Sequence, residues 1–94
     1  MSVQVSVEAA GYLAALFPQA TFVVVAPAGT TVDGLLRDLT AGNPGFAAVA
    51  YHDGKFSGGF QVVVGDQLLE LAGWWERVLA DGDLVVLLPP FAGG

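Results

Sequence analysis

The stretch that decides the fold is "DGDLVVLLPP", Asp81 to Pro90. From Leu84 to Leu88 every residue is apolar, so a strand here would be apolar on both faces, as in the middle of a sheet. Asp81-Gly82-Asp83 has the chemistry of a tight turn that launches the strand. Pro89 and Pro90 carry no backbone N–H, so ladder pairing must stop there. A central strand needs neighbours, and the rest of the chain offers them.

The opening "SVQVSVE", Ser2 to Glu8, alternates strictly, with Val3, Val5 and Val7 on one side. Period two predicts a strand with one buried face. "AAGYLAALFPQA" favours helix but is cut short by Pro18, which predicts a turn or short helix within a connection. "TFVVVAP", Thr21 to Pro27, reads as a second strand, close enough to the first to pair antiparallel. The wholly apolar last strand then belongs beside the first, in the centre of the sheet.

The clearest helix signal lies in "GTTVDGLLRDLTAGNPG", where Val32, Leu35, Leu36 and Leu39 form one apolar stripe. Thr30 and Asp33 have the capping-box spacing, and Asp33 suits the positive N-terminus. Gly42 is placed for a left-handed C-terminal position, and Asn43-Pro44-Gly45 bars continuation. Beyond it, Asp53-Gly54 is a turn, Phe60 to Val64 a strand, and Gly65-Asp66 another turn, leading into a short strand. The segment around Trp74 and Trp75 is ambiguous. The expected architecture is α+β, a β-grasp roll: a mixed sheet of four to five strands with one main helix packed across it. Residues 1–88 would be the domain and residues 89–94 an extended C-terminal tail.

Ninety-four residues allow a single domain. With 54% hydrophobic residues and 13% charged ones there is material for a core and a surplus for an interaction surface. The absence of cysteine excludes a disulfide framework, a thiolate metal site and a catalytic thiol. A formal charge of −6 repels phosphate backbones, so nucleic acid is not an expected partner, whereas a basic protein is. No cationic segment precedes an apolar one at the N-terminus, and no apolar run is long enough to span a bilayer. The expectation is a soluble cytoplasmic protein.

His52 and Asp53 could form half of an acid–base site, but they flank the Asp-Gly turn and no partner is spaced to complete a triad or a metal set. The glycines at Gly29, Gly58 and Gly59 match no phosphate-cradling pattern and read as turns. Trp74 and Trp75 cannot both face inward, so one is a candidate partner contact. The remaining acids, among them Asp38, Glu70 and Glu76, read as solvated faces and caps. The inventory holds no catalytic constellation and no metal site.

What remains is the tail, "PPFAGG". The prolines favour an extended, semi-rigid segment that projects from the domain. Phe91 places a ring where only a partner can bury it. Gly93 and Gly94 can thread a narrow channel and bring a carboxylate to another enzyme's reactive atoms. This is the design of a substrate or carrier rather than a catalyst.

The ending "LADGDLVVLLPPFAGG", Leu79 to Gly94, resembles the tail of the MoaD/ThiS family of ubiquitin-like sulfur carriers, most nearly that of molybdopterin synthase small subunits. "APAGTTVDGLLRDL" and "NPGF" are compatible with it. The resemblance implies that an adenylyltransferase of the ubiquitin-activating type (MoeB/ThiF-like) uses ATP to adenylate the Gly94 carboxylate. Sulfur from a desulfurase or rhodanese would then give a thiocarboxylate, with no cofactor bound to this chain. The tail Pro89, Pro90, Phe91, Ala92 and Gly93 would enter a large subunit (MoaE-like) or another acceptor, and Gly94 would donate sulfur, to precursor Z in molybdopterin synthesis. The chain would not be catalytic alone, but a sulfur-donating subunit of a sulfurtransferase.

"VVVGDQ" stands where that family favours an Asn-Gly turn, Trp74-Trp75 belongs to no motif of it, and Phe91 stands where smaller aliphatic residues are common. These departures leave the carrier chemistry intact and the acceptor open to thiamine, cysteine or secondary-metabolite pathways. Two other classes remain: a protein modifier joined through Gly94 to lysines, and a non-covalent adaptor whose tail is incidental.

Overall fold

A computed structural model describes residues 1–56, 60–69 and 76–89. The strands are β1 (Ser2–Ala9), β2 (Thr21–Pro27), β3 (Tyr51–His52), β4 (Lys55–Phe56), β5 (Gln61–Val64), β6 (Gln67–Leu69) and β7 (Leu84–Leu88). The helices are α1 (Val32–Gly42) and α2 (Pro44–Ala50), and a 3₁₀ turn spans Gly11–Leu16. The main sheet has five strands in the order β2-β1-β7-β5-β6. β1 runs antiparallel to β2 and parallel to β7, and β5 runs antiparallel to β7. The last strand thus lies at the centre beside the first. The architecture is the expected β-grasp roll.

The buried side of the sheet follows from the alternation. Val5, Val7 and Ala9 on β1, Val62 and Val64 on β5, and Val85 and Leu87 on β7 face the core. The stripe Val32, Leu35, Leu36 and Leu39 of α1 is buried against them. Burying a side chain of this size contributes about 1.5–3 kcal/mol. A run of tilted rings, Phe17 to Phe46 at 5.0 Å and Phe46 to Phe60 at 5.3 Å, fills the end of the core where β7 finishes.

Four details differ from expectation. Thr31, not Thr30, caps α1: its Oγ1 accepts from Gly34 N at 3.1 Å, while the Thr30 hydroxyl donates to Pro27 O at 2.7 Å. Gly42 keeps helical geometry as the last residue of α1, because the Asn43 side chain turns back to donate to Leu39 O at 2.8 Å and so closes the end itself. Asn43-Pro44 ends α1, but Pro44 also starts a second helix, since its fixed φ and missing N–H suit a first turn. The Asp53-Gly54 turn closes a separate two-stranded sheet, β3–β4, with positive φ at both turn residues.

Candidate functional site

β7 leads into the C-terminal segment, and both of its ends are fastened. At the entrance, Asp81 Oδ1 accepts from Gln4 N at 2.7 Å and Gly82 N donates to Gln4 O at 2.8 Å. Asp83 Oδ2 accepts from Ala80 N at 2.8 Å, and Asp83 O accepts from Ser6 N at 2.9 Å. Gly82 sits at φ +87°, which a side chain would strain. The D-G-D turn therefore sets the register of β7 on β1, Ser6 opposite Leu84.

At the exit, Ala10 N donates to Leu87 O at 2.9 Å, extending β1 by one bond beyond its last strand residue. Gly11 then turns at φ +60°, and the Pro89 ring occupies the space where a side chain would stand: a Cβ on Gly11 would lie 2.6 Å from Pro89 Cγ. Across the strand, Gln61 pairs with Leu88, and Gln61 Oε1 is buried with no hydrogen-bond partner among the described residues. β7 thus ends at Pro89, with Gly11 on one flank and Gln61 on the other. Pro90, Phe91, Ala92, Gly93 and Gly94 lie outside the described residues, as do Trp74, Trp75, Gly58, Gly59 and Glu70. The signal for Gly11 was too faint to read in advance: it looked like any glycine in a connection, and the proline it accommodates is remote in sequence.

The side of the sheet away from the helices is mostly apolar on β2, β5, β6 and β7, with a polar row of Ser2, Gln4, Ser6 and Glu8 on β1 between β2 and β7. Val23 and Val25 are 55% and 68% exposed, Leu84 and Leu68 are also exposed, and Val63, Val86 and Leu88 are half-buried. Among the described residues of these strands, Glu8 is the single charge on that face. β7 is central, as its sequence implied, and Leu84 at its start is exposed on this face. The face runs continuously into Leu88 and Pro89.

The remaining polar groups build structure. Asp33 accepts from Tyr51 Oη at 2.6 Å and from Arg37 Nε at 2.8 Å. Arg37 also donates to Gly54 O at 3.0 Å and lies over the Tyr51 ring at 4.6 Å, which ties the β3–β4 hairpin to α1. Partial burial opposes the Asp33 charge, but the bonds from Tyr51 and Arg37 and the guanidinium charge outweigh it and hold the carboxyl below its usual range. Burial, then the Asp33 bond, push the Tyr51 phenol up. His52 at the end of β3 and Asp53 in the turn after it are open to solvent, with side chains 86% and 91% exposed.

Among the described residues no three His, Asp or Glu side chains gather to hold a metal. A cleft of about 270 Å³ lined by Phe17, Pro18, Gln19, Phe22 and Asn43 is smaller than ordinary small-molecule sites. No described helix is long and apolar enough to cross a membrane.

The ThiS family profile matches residues 11–94, from the glycine that seats Pro89 to the final glycine. The chain belongs to the ThiS family. Its fold is that of ubiquitin-like sulfur carriers and modifiers. The small archaeal modifier protein 1 of Methanosarcina acetivorans superposes with a TM-score of 0.83 at 20% identity, covering 100% of this chain and 99% of that one. A chain of the Amycolatopsis orientalis BexX/CysO complex gives 0.72 at 26% identity, over 96% and 99%. A chain of the complex of subunits 1 and 2 of the Helicobacter pylori molybdopterin-converting factor gives 0.63 at 23% identity, over 98% and 100%. No curated protein matches the sequence.

Proposed function

We propose that this ThiS-family chain is a cytoplasmic sulfur carrier whose Gly94 carboxylate is the working group. The observation that carries the reading is the fastening of β7 at both ends, which makes the sheet a rigid mount for the segment released at Pro89. A carboxylate is a poor electrophile, so an ATP-dependent adenylyltransferase first forms the acyl-adenylate on Gly94 and releases pyrophosphate. A persulfide from a desulfurase or rhodanese then attacks the acyl carbon and expels AMP. A second thiol of the donor then attacks the donor-side sulfur of the S–S bond, leaving the thiocarboxylate on Gly94 and a disulfide on the donor. Pro89 and Pro90 direct the tail outward, Phe91 and Ala92 line the route into the acceptor, and Gly93 gives access. The open apolar face beside β7 offers the partner a docking surface continuous with the tail.

The acceptor we propose is precursor Z, bound to a molybdopterin synthase large subunit of the MoaE type. Likeness to a chain seen with subunit 2 of a molybdopterin-converting factor supports it. A second reading keeps the chemistry and changes the acceptor, and the somewhat higher identity to a chain of the BexX/CysO complex favours it.

The test is mass spectrometry after incubation with the activating enzyme encoded in the same genome, a desulfurase, cysteine and ATP. The expected product has one oxygen replaced by sulfur at Gly94, and deletion of Gly93 and Gly94 abolishes it. Adenylation without sulfur gain overturns the carrier reading. Higher-mass protein conjugates in its place assign the chain to lysine modification. Incubating the thiocarboxylate form with precursor Z and the large subunit then tests the acceptor by formation of molybdopterin.

A further inference from the structure

The free edge of β2 has an organisation that the carrier chemistry does not use. Ala9 N donates to Ala20 O at 2.7 Å and Ala28 N to Met1 O at 3.0 Å, at the two ends of the β1–β2 ladder. Backbone groups alternate along an antiparallel pair, so Phe22, Val24 and Ala26 direct theirs at β1. Thr21, Val23 and Val25 direct their N–H and C=O groups away from the sheet, along an edge that no other described strand covers. Val23 and Val25 also carry the most exposed valine side chains on the open face.

Proteins guard long edges with charge, bulges or short strands. β2 has seven residues, none charged, and its single proline, Pro27, stands at the end, where its carbonyl is taken by Thr30 N at 3.1 Å. The opposite edge, β6, has three described residues.

We propose that β2 pairs with β2 of a second copy, antiparallel, about a two-fold axis through Val23. This register places Val23 opposite Val23 and Thr21 opposite Val25, so every outward donor and acceptor of the three residues finds a partner. Shifting the centre to Val24 would bring Pro27, which has no N–H, opposite Thr21, and shifting it to Phe22 would leave Val25 unpaired. The contact is isologous and closes as a dimer. Val23 and Val25 of both copies form one apolar cluster on the open face. No charge faces its own copy across the edge, so the occupant that fits is another such strand rather than a basic partner. β1 separates β2 from β7, and the two-fold axis sends the two tails in opposite directions, leaving both free.

Each copy carries a formal charge of −6, so the pairing works against long-range repulsion and strengthens with added salt. A contact with a basic partner would weaken instead. The experiment is sedimentation equilibrium from about 10 μM to about 1 mM protein, in low salt and in about 0.5 M NaCl. Native-state hydrogen exchange at the Val23 and Val25 amides accompanies it. The expected result is a dimer that tightens with salt and protects those two amides as concentration rises.

V23P removes an outward donor and no bond to β1. V23K places like charges directly opposite each other. Both are expected to weaken the dimer at least tenfold with unchanged circular dichroism, whereas V78K, the same charge change at an exposed valine elsewhere, leaves it intact. A monomer throughout the range in both salts overturns the proposal, as does a dimer indifferent to V23P and V23K. If the lone protein is monomeric and the Val23 and Val25 amides become protected only when the purified activating enzyme is added, the edge belongs to a foreign strand and self-pairing is overturned.

Discussion

Gly11 and Pro89 occupy one another's space: the proline ring at the exit of β7 lies where the side chain of any other residue at position 11 would stand. Gly11→Ala therefore carries two penalties, a left-handed backbone at φ +60° and a contact of 2.6 Å with Pro89 Cγ. Gly29→Ala is the control, because Gly29 also has positive φ, +95°, but nothing lies within 4 Å. The backbone term alone is about 1–2 kcal/mol. Urea denaturation is expected to show Gly11→Ala losing more stability than Gly29→Ala, and sulfur loading is expected to slow in Gly11→Ala alone. Equal effects on both measurements would remove the glycine from the tail's mounting.

Asp81→Ala removes the acceptor for Gln4 N, a bond between groups 77 positions apart in the chain. The expected loss is about 1–2 kcal/mol, with faster hydrogen exchange at the Gln4 amide. Asp81→Asn keeps an acceptor oxygen and is expected to lose less. Identical losses in the two variants would mean that the charge matters and the bond does not.

Asp33 has a lowered pKa, so its carboxylate stabilises the fold above the unfolded-state value near 4 and loses that contribution as pH falls through the lower folded value. Melting temperatures of the native protein are expected to fall between about pH 5 and pH 2 more steeply than those of Asp33→Asn. The carboxylate is partly solvated, so the difference is modest. Parallel pH profiles would remove the Tyr51–Asp33–Arg37 cluster as its cause.

Thr31→Ala is expected to cost about 1 kcal/mol by leaving Gly34 N without its cap. Helix-directed readouts, such as amide exchange in the first turn of α1, are expected to respond to Thr31→Ala and not to Thr30→Ala. The reverse pattern would restore the cap to Thr30.

The parts of the fold legible in the residues were those written as local periodicity. The alternation of β1, the stripe of α1 and the all-apolar β7 each point to one element, and together they leave few ways to assemble the sheet. What stayed hidden depends on contacts far apart in sequence or on choices between neighbours. Thr30 and Thr31 are equally good capping residues by type, and only the approach of Pro27 O takes Thr30 out of the role. α2 was obscured because Pro44 is both a terminator and a good first residue. Membership of the ThiS family was legible in the ending "PPFAGG", but the seating of Pro89 was not: neither Gly11 nor Gln61 has a pattern that announces what faces it. The outward-facing valines of β2 were equally silent, since a run of β-branched residues does not say which face is covered.

The pairing of the first strand with the last has a consequence for when this molecule becomes competent. β1 and β7 come from opposite ends of the chain, so their contacts are among the most non-local the fold contains, and such contacts form late. A nascent or truncated chain can make the β1–β2 hairpin and α1, but it has nothing to seat against Gly11 until β7 enters between β1 and β5. Completion of the sheet and the seating of Pro89 are thus one event, so the exit of β7 takes its final geometry only in finished copies.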